Sequence, residues 1–256
     1  MESRKMKAVF FDCWSTLITF HTEDEWWETR ALINHLSNKE DVSVEEIASY
    51  GHSLLKKYYD AHLEFEITAE QFITLLVLRY HLKLDCSIRQ VVKEILHSLD
   101  PAPIKGISSF LTVLEENHIP YACLSNTIYP QAETEGLIKK LIPHHCFAFV
   151  LTSQEVGVKK PSPAFFDLGP LLLGVKKEES CYIGDSYLQD ICGSYQDGYG
   201  LSIWLNEKKK TMEDLRFVAS FYQGYEKVPH WEVTSYEELL QKGESFGWKK
   251  NGFDRD

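Results

Sequence analysis

Five short apolar runs, each ending abruptly in polar residues, constrain this chain more than any other feature. Ala8-Val9-Phe10-Phe11 ends at Asp12, and Tyr121-Ala122-Cys123-Leu124 ends at Ser125-Asn126. Phe147-Ala148-Phe149-Val150-Leu151 ends at Thr152-Ser153, Cys181-Tyr182-Ile183 at Gly184-Asp185, and Leu201-Ser202-Ile203-Trp204-Leu205 at Asn206. A strand with one wet face alternates apolar and polar side chains, whereas runs like these suit parallel strands covered on both faces. Between them, residues 107–117 set Ile107, Phe110, Leu111 and Leu114 on one helical face. Residues 163–173 offer Phe165, Phe166, Leu168, Leu171 and Leu172 in the same way. Strands alternating with helices predict an α/β fold, a Rossmann-like parallel sheet. Such sheets bind ligands just beyond the carboxyl ends of their strands. The polar residues that end the runs are therefore where chemistry belongs.

Residues 21–104 follow another pattern. No strand-like run stands out, but Thr22-x-x-Glu25, Ser43-x-x-Glu46, Thr68-x-x-Gln71 and Ser87-x-x-Gln90 each fit a capping box, and helical periodicity follows, as in Ile47, Leu54, Leu55, Tyr58 and in Phe72, Leu75, Leu76, Leu78. In that box a hydroxyl accepts the third amide of a helix while the Glu or Gln reaches back. The expectation is a Rossmann-like core domain from residues 1–20 and 105–256, with an all-helical cap domain, 21–104, inserted over the strand ends. Hinges are expected near 18–24 and 100–106, where Pro101, Pro103 and Gly106 cluster. The cap is rich in aromatics (Trp26, Trp27, Tyr50, Tyr58, Tyr59, Phe65, Phe72), read mainly as core.

Charge narrows the partners. The chain of 256 residues carries 27 basic and 38 acidic side chains, a formal net charge of −11. Nucleic acid and anionic membranes call for clustered Lys and Arg, so neither is expected as a partner, and Lys208-Lys209-Lys210 is read as a solvated loop. No stretch approaches the 18 or so apolar residues of a membrane span, and Ala8–Phe11 is too short for a signal-peptide core. The six cysteines (Cys13, Cys86, Cys123, Cys146, Cys181, Cys192) show no C-x-x-C pair and read as free thiols in a reducing, cytoplasmic setting. A monomer or homodimer is expected.

Taken singly, the strand-end residues are as compatible with turn chemistry as with a ligand. Taken together, Asp12, Ser125, Lys160, Asp185 and Asp190 supply one carboxylate, one hydroxyl, one amine and two further carboxylates in that order. A phosphoryl group suits this set. Mg²⁺ needs carboxylate oxygens, a lysine and a hydroxyl can balance and orient phosphate oxygens, and a screened carboxylate can then attack phosphorus.

On these residues the chain resembles the haloacid dehalogenase (HAD) superfamily, in the branch with a helical cap inserted after the first strand. The four superfamily motifs appear as Val9-Phe10-Phe11-Asp12-Cys13-Trp14-Ser15-Thr16-Leu17, Leu124-Ser125-Asn126-Thr127, Val156-Gly157-Val158-Lys159-Lys160-Pro161-Ser162-Pro163 and Tyr182-Ile183-Gly184-Asp185-Ser186 with Asp190. The resemblance spans roughly residues 6–241. It implies a Mg²⁺-dependent phosphohydrolase acting on a small phosphorylated metabolite through an aspartyl-phosphate intermediate. It makes Asp12 the nucleophile, and Asp12, the Trp14 carbonyl and Asp185 the Mg²⁺ ligands, with Asp190 a further ligand or a carboxylate behind them. Ser125, Lys160 and Asn126 would hold the transferring group, with Trp14 beside it.

One departure matters. The family's phosphatases carry a second aspartate two residues after the nucleophile, to protonate the leaving oxygen and later activate water. Here that position is Trp14, and Ser15 replaces the usual glycine. An indole has no proton to exchange near neutral pH. Three readings follow: a phosphohydrolase whose acid comes from elsewhere (His21, Glu23 and Asp24 are candidates) or whose leaving group needs none; a metal-independent 2-haloacid dehalogenase, since halide leaves without a proton; or a weakly active or non-catalytic phospho-ligand-binding relative. Beside the second stands a phosphonate hydrolase using a cap lysine, Lys56 or Lys57.

Overall fold

The computed structural model describes residues 6–20, 22, 24, 26–60, 63–211, 228–243 and 248. Six strands make one parallel sheet: β1 (Ala8–Phe11), β4 (Tyr121–Ser125), β5 (Val150–Thr152), β6 (Ser180–Gly184), β7 (Leu201–Leu205) and β8 (Trp231–Val233). Their order across the sheet is β5-β4-β1-β6-β7-β8. Central β1 pairs Val9 with Tyr121 on one side and with Cys181 on the other.

The unbroken apolar run of β1 has a direct structural meaning. Val9 and Phe11 face a core containing Phe110, Leu111 and Leu114 of α5 (Ile107–Glu116), together with Tyr236 and Leu239. Ala8 and Phe10 face the opposite core, with Phe165, Phe166, Tyr182 and Tyr199. Both faces are dry, so both sets must be apolar. Each buried Phe contributes about 1.5–3 kcal/mol. The strand ladder then carries Asp12 out at the carboxyl end, where its N–H donates to Ile183 O at 2.9 Å.

Two expectations for the core are corrected. The run 147–151 is a strand only from Val150, because Phe147 turns into the core against Tyr121, ring centroids 4.9 Å apart. The helix expected over 163–173 is two short helices, Pro163–Phe166 and Leu168–Leu173. In the second, Gly169 and Pro170 lie against the core, and a Cβ on Gly169 would sit 2.9 Å from Phe10. At about 100° per residue the next positions turn outward, which leaves Leu171 and Leu172 exposed.

Between the strands of a separate two-stranded sheet, β2 (Ile18–Thr19) and β3 (Ala102–Pro103), the described residues include four α-helices: α1 (Trp27–Asn34), α2 (Val44–Asp60), α3 (Ala69–Arg79) and α4 (Ile88–Ser98). They share a buried cluster that includes Leu32, Ile47, Phe72, Leu76, Val91 and Ile95 and also takes in Ile128 and Tyr129 from beyond β4. Leu75 and Leu78 are exposed, so only part of the α3 periodicity is core. Thr68 and Gln71 complete a reciprocal capping box, and Ser43 and Ser87 make its hydroxyl half. Thr22 instead accepts Asp24 N–H at 3.1 Å, while Glu25 lies outside the described residues. Where hinges were expected, β2 and β3 pair antiparallel, Ile18 opposite Pro103. Among the described residues, no helix is long and apolar enough to cross a membrane.

Candidate active site

Asp12 and Asp190 converge on one ammonium group. Lys160 Nζ donates to Asp12 Oδ1 at 2.6 Å, to Asp190 Oδ1 at 2.6 Å and to the Tyr182 hydroxyl at 2.9 Å. All three ammonium protons thus have acceptors, and the side chain is 1% exposed. Asn126 grips the lysine from behind. Its Oδ1 accepts Lys160 N–H at 2.8 Å and its Nδ2 donates to Lys160 O at 3.0 Å. The pairing links the Ser-Asn that ends one strand to the Lys-Pro loop 34 residues later: the amide side chain clamps the loop that carries the amine.

Asp190 lies in the short helix Tyr187–Cys192 that follows β6. Its second oxygen accepts Ser186 N–H at 2.9 Å, so both of its oxygens have donors. A Cβ on Gly184 would sit 2.3 Å from the Asp190 carboxyl carbon, and glycine is therefore what admits this carboxylate. Ser125 Oγ is fully buried and has no hydrogen-bond partner among the described residues. A buried, unpaired hydroxyl is costly, and one facing a ligand site is ready for an incoming acceptor.

Asp12, Asp185 and Asp190 each offer an oxygen, all within 4.8 Å of one another. Three carboxylates against one ammonium leave this centre two negative charges in excess. Burial first, and the crowded carboxylates after it, raise the pKa of Asp12 and of Asp185. Burial, only partly opposed by Lys160, pushes Asp12 up to about 7, with Asp190 and Asp185 adding to the rise. Burial and then Asp190 push Asp185 up to about 6. For Lys160, burial works against the charge, but Asp12 and Asp190 prevail and its pKa is raised. The excess charge and hard oxygen donors fit a divalent cation such as Mg²⁺.

The residues after Asp12 run toward the cap. Trp14 packs edge-on against Phe20 (5.6 Å between centroids), and Phe20 against Trp27 of α1 (5.3 Å). Ser15 has φ +58°, the left-handed conformation that glycine adopts freely. Among the acid candidates, Asp24 is engaged by Arg30 at 2.7 and 2.8 Å, and the hydrogen bond from that guanidinium draws its pKa down. His21 and Glu23 lie outside the described residues. Lys56 and Lys57 are exposed on α2.

Two contributors escaped sequence reasoning. Tyr182 sits within an apolar strand and looked like core, yet its hydroxyl accepts from Lys160 and donates to Leu124 O at 3.1 Å. Thr16 Oγ1 lies 3.5 Å from Asp12 Oδ2; its place in the first motif was the available signal.

Comparison with known proteins agrees with this geometry. A family model for haloacid dehalogenase-like hydrolases matches residues 6–192. Glyceraldehyde 3-phosphate phosphatase of Methanopyrus kandleri is 35% identical over 102 residues, 38% of this chain and 38% of that one. The chain thus matches well under half the length of this curated relative. Among solved structures, a HAD phosphatase of Thermococcus onnurineus aligns with a TM-score of 0.64 at 22% identity, covering 93% of this chain and 97% of its own. The L-2-haloacid dehalogenase of Xanthobacter autotrophicus aligns at 0.61 and 16%, covering 93% and 99%. At such identities these two likenesses show the fold alone.

Proposed function

The chain belongs to the haloacid dehalogenase-like hydrolases, and on that premise we propose a Mg²⁺-dependent phosphohydrolase that acts on a small phosphorylated metabolite through an aspartyl-phosphate on Asp12. The observation that carries this reading is the charge of the centre: three carboxylates around one lysine, beside a buried and unpartnered Ser125 hydroxyl. A metal-free dehalogenase has no use for that excess of negative charge.

Asp12, Asp185 and the Trp14 carbonyl would hold the ion, which supplies charge neutralisation for the phosphoryl group when bound. Asp190, saturated by Lys160 and Ser186, serves to fix the lysine. Ser125 donates its free hydroxyl proton to a phosphoryl oxygen, and Lys160 turns part of its charge toward the same group. Asn126 holds the lysine loop. Asp12 then attacks phosphorus, the Asp–O–P bond forms, and the ester oxygen departs with the electron pair. Water hydrolyses the acyl phosphate and restores the carboxylate. Trp14 gives no proton to the leaving oxygen, so esters and acyl phosphates with weakly basic leaving groups are the favoured substrates. The unit 21–104 serves as the cap over this centre and 1–20 with 105–256 as its base, in the reducing cytoplasm that suits free thiols.

A second reading, the 2-haloacid dehalogenase, is favoured by Trp14 itself, since halide needs no acid. One assay separates the two. Phosphate release from p-nitrophenyl phosphate or acetyl phosphate with Mg²⁺ is expected, lost on chelation and reduced to background in Asp12→Asn. Halide release from 2-chloropropionate in chelator, without phosphate release, would establish the dehalogenase instead.

A further inference from the structure

The phosphohydrolase reading does not say what holds the rest of the substrate; resting on it, we propose that a pocket beside Asp185 binds a second anionic group of that substrate through Lys208 and Lys210. The pocket has a volume of about 170 Å³ and is lined by Ser15, Thr19, Phe20, Asp185, Lys208 and Lys210, with Glu207 also bordering it. It therefore spans from the residue after Trp14 to the outer carboxylate of the catalytic centre. Drug-sized sites occupy roughly 300–1,000 Å³, so this space suits a carboxylate or a phosphate rather than a nucleoside.

The lysines read as a solvated loop do lie in one, Lys208 and Lys209 exposed, and its backbone is tied. Asn206 Oδ1 accepts Lys210 N–H at 2.8 Å, and its Nδ2 donates to Lys210 O at 2.9 Å and to Glu232 at 2.7 Å. Lys209 N–H closes onto Asn206 O at 3.0 Å, with Lys209 at φ +52°. The backbone is thus held so that Lys208 and Lys210 border the pocket.

Charge balance gives the pocket its purpose. Asp12, Asp185 and Asp190 against Lys160 leave two negative charges, which one divalent ion cancels. That centre then has no cation to spare for a further anionic group on the ester. Lys208 and Lys210 supply two, of which Glu207 offsets one. A phosphorylated metabolite bearing a carboxylate or a second phosphate is the substrate class that uses them.

The test is titration calorimetry on the full chain with Mg²⁺, using 3-phosphonopropionate and methylphosphonate as probes. The readout is the ratio of their affinities. Wild type is expected to favour 3-phosphonopropionate, and Lys208→Ala/Lys210→Ala to lower the ratio about tenfold, the effect of removing two partly exposed ion pairs. The double Arg variant is expected to keep the ratio, which separates charge from misfolding. Methylphosphonate binding with a ratio near one in wild type, or a ratio unmoved in the Ala variant, overturns the subsite and leaves the phosphohydrolase reading standing. Binding of neither probe, together with no turnover of p-nitrophenyl phosphate, overturns both.

Discussion

Lys159 and Lys160 are neighbours in sequence and nearly sealed from solvent, at 5% and 1% exposure, yet they serve opposite halves of the molecule. Lys160 points into the base and is held by two carboxylates. Lys159 points toward the cap, where Nζ donates to the Tyr58 hydroxyl at 2.8 Å and lies 3.9 Å from the centre of that ring. Tyr58 donates in turn to Glu66 Oε1 at 2.5 Å, and Ser153 Oγ donates to Glu66 Oε2 at 2.6 Å. Backbone bonds reinforce the seam, Glu66 N–H to Gly157 O at 3.0 Å and Lys159 N–H to Glu64 O at 2.8 Å. Burial lowers the pKa of Lys159, with Glu66 opposing, while direct carboxylate contact raises that of Lys160. Burial alone therefore does not decide what a lysine does here. Carboxylate partners hold one as a fixed cation, and a neutral hydroxyl ties the other to α2.

The strongest way to break this comparison is to replace each lysine by methionine, which keeps the stem and removes the amine. In Lys160→Met, Asp12 and Asp190 lose a shared cation in a sealed site. Breaking such a pair costs about 3–5 kcal/mol, and turnover is expected to fall to background. In Lys159→Met, one hydrogen bond to a neutral hydroxyl is lost, roughly 1 kcal/mol, and turnover is expected to stay within about threefold, since no reacting atom loses a partner. Denaturant unfolding and phosphate release read both. Equal losses in the two variants would show that the pair acts as one unit and would end the division of labour.

The surroundings of Lys160 were far more legible in the sequence than the seam around Lys159. Asp12, Ser125 and Asp185 follow apolar runs, so the end of each run marks them, and Lys160 immediately precedes Pro161 in the third motif. The capping motifs announced α2, α3 and α4 because capping is local. The seam is not local. Tyr58, Glu66, Ser153 and Lys159 belong to three separate segments, and Tyr58 has the periodicity of a core aromatic, so nothing short of the fold brings them together. Tyr182 was hidden for a related reason: a ring buried in a strand reads as apolar whatever its hydroxyl does. β8 was too short, at three residues, to stand out as a run.

Trp14 sharpens the comparison, because its backbone neighbours Asp12 while its indole joins the aromatic chain toward the cap. Trp14→Asp restores a carboxylate at the position of the family's acid and base. A positioned acid or base is worth roughly 10²–10⁴ in rate, so a gain of at least about tenfold on p-nitrophenyl phosphate is expected. The same change removes the Phe20 contact and lowers stability by roughly 3 kcal/mol. Trp14→Asn carries that second cost without the acid. A gain in Asp over Asn assigns the slow step to the missing proton donor; equal rates would place the limit in how the cap sits.

The smallest effect is expected one residue on, where the chain turns from the base toward the cap. Ser15 holds φ +58°, a conformation that costs a residue with a Cβ about 1–2 kcal/mol. Its N–H donates to Ile18 O at 2.7 Å, so the turn is fixed by the backbone and not by the side chain. Ser15→Gly keeps that bond and relieves the strain, while glycine loses up to about 1 kcal/mol in the unfolded chain. The balance is a gain of roughly 0.5 kcal/mol, a rise of about 1–2 °C in melting temperature for a chain of this size. Ser15→Ala keeps the strain and is expected to give no gain. Because the turn lies between the charged centre and the aromatic chain, a larger rise accompanied by a change in turnover would mean that strain at Ser15 is transmitted to Asp12, and the two halves would then be coupled through the backbone as well as through the lysine loop.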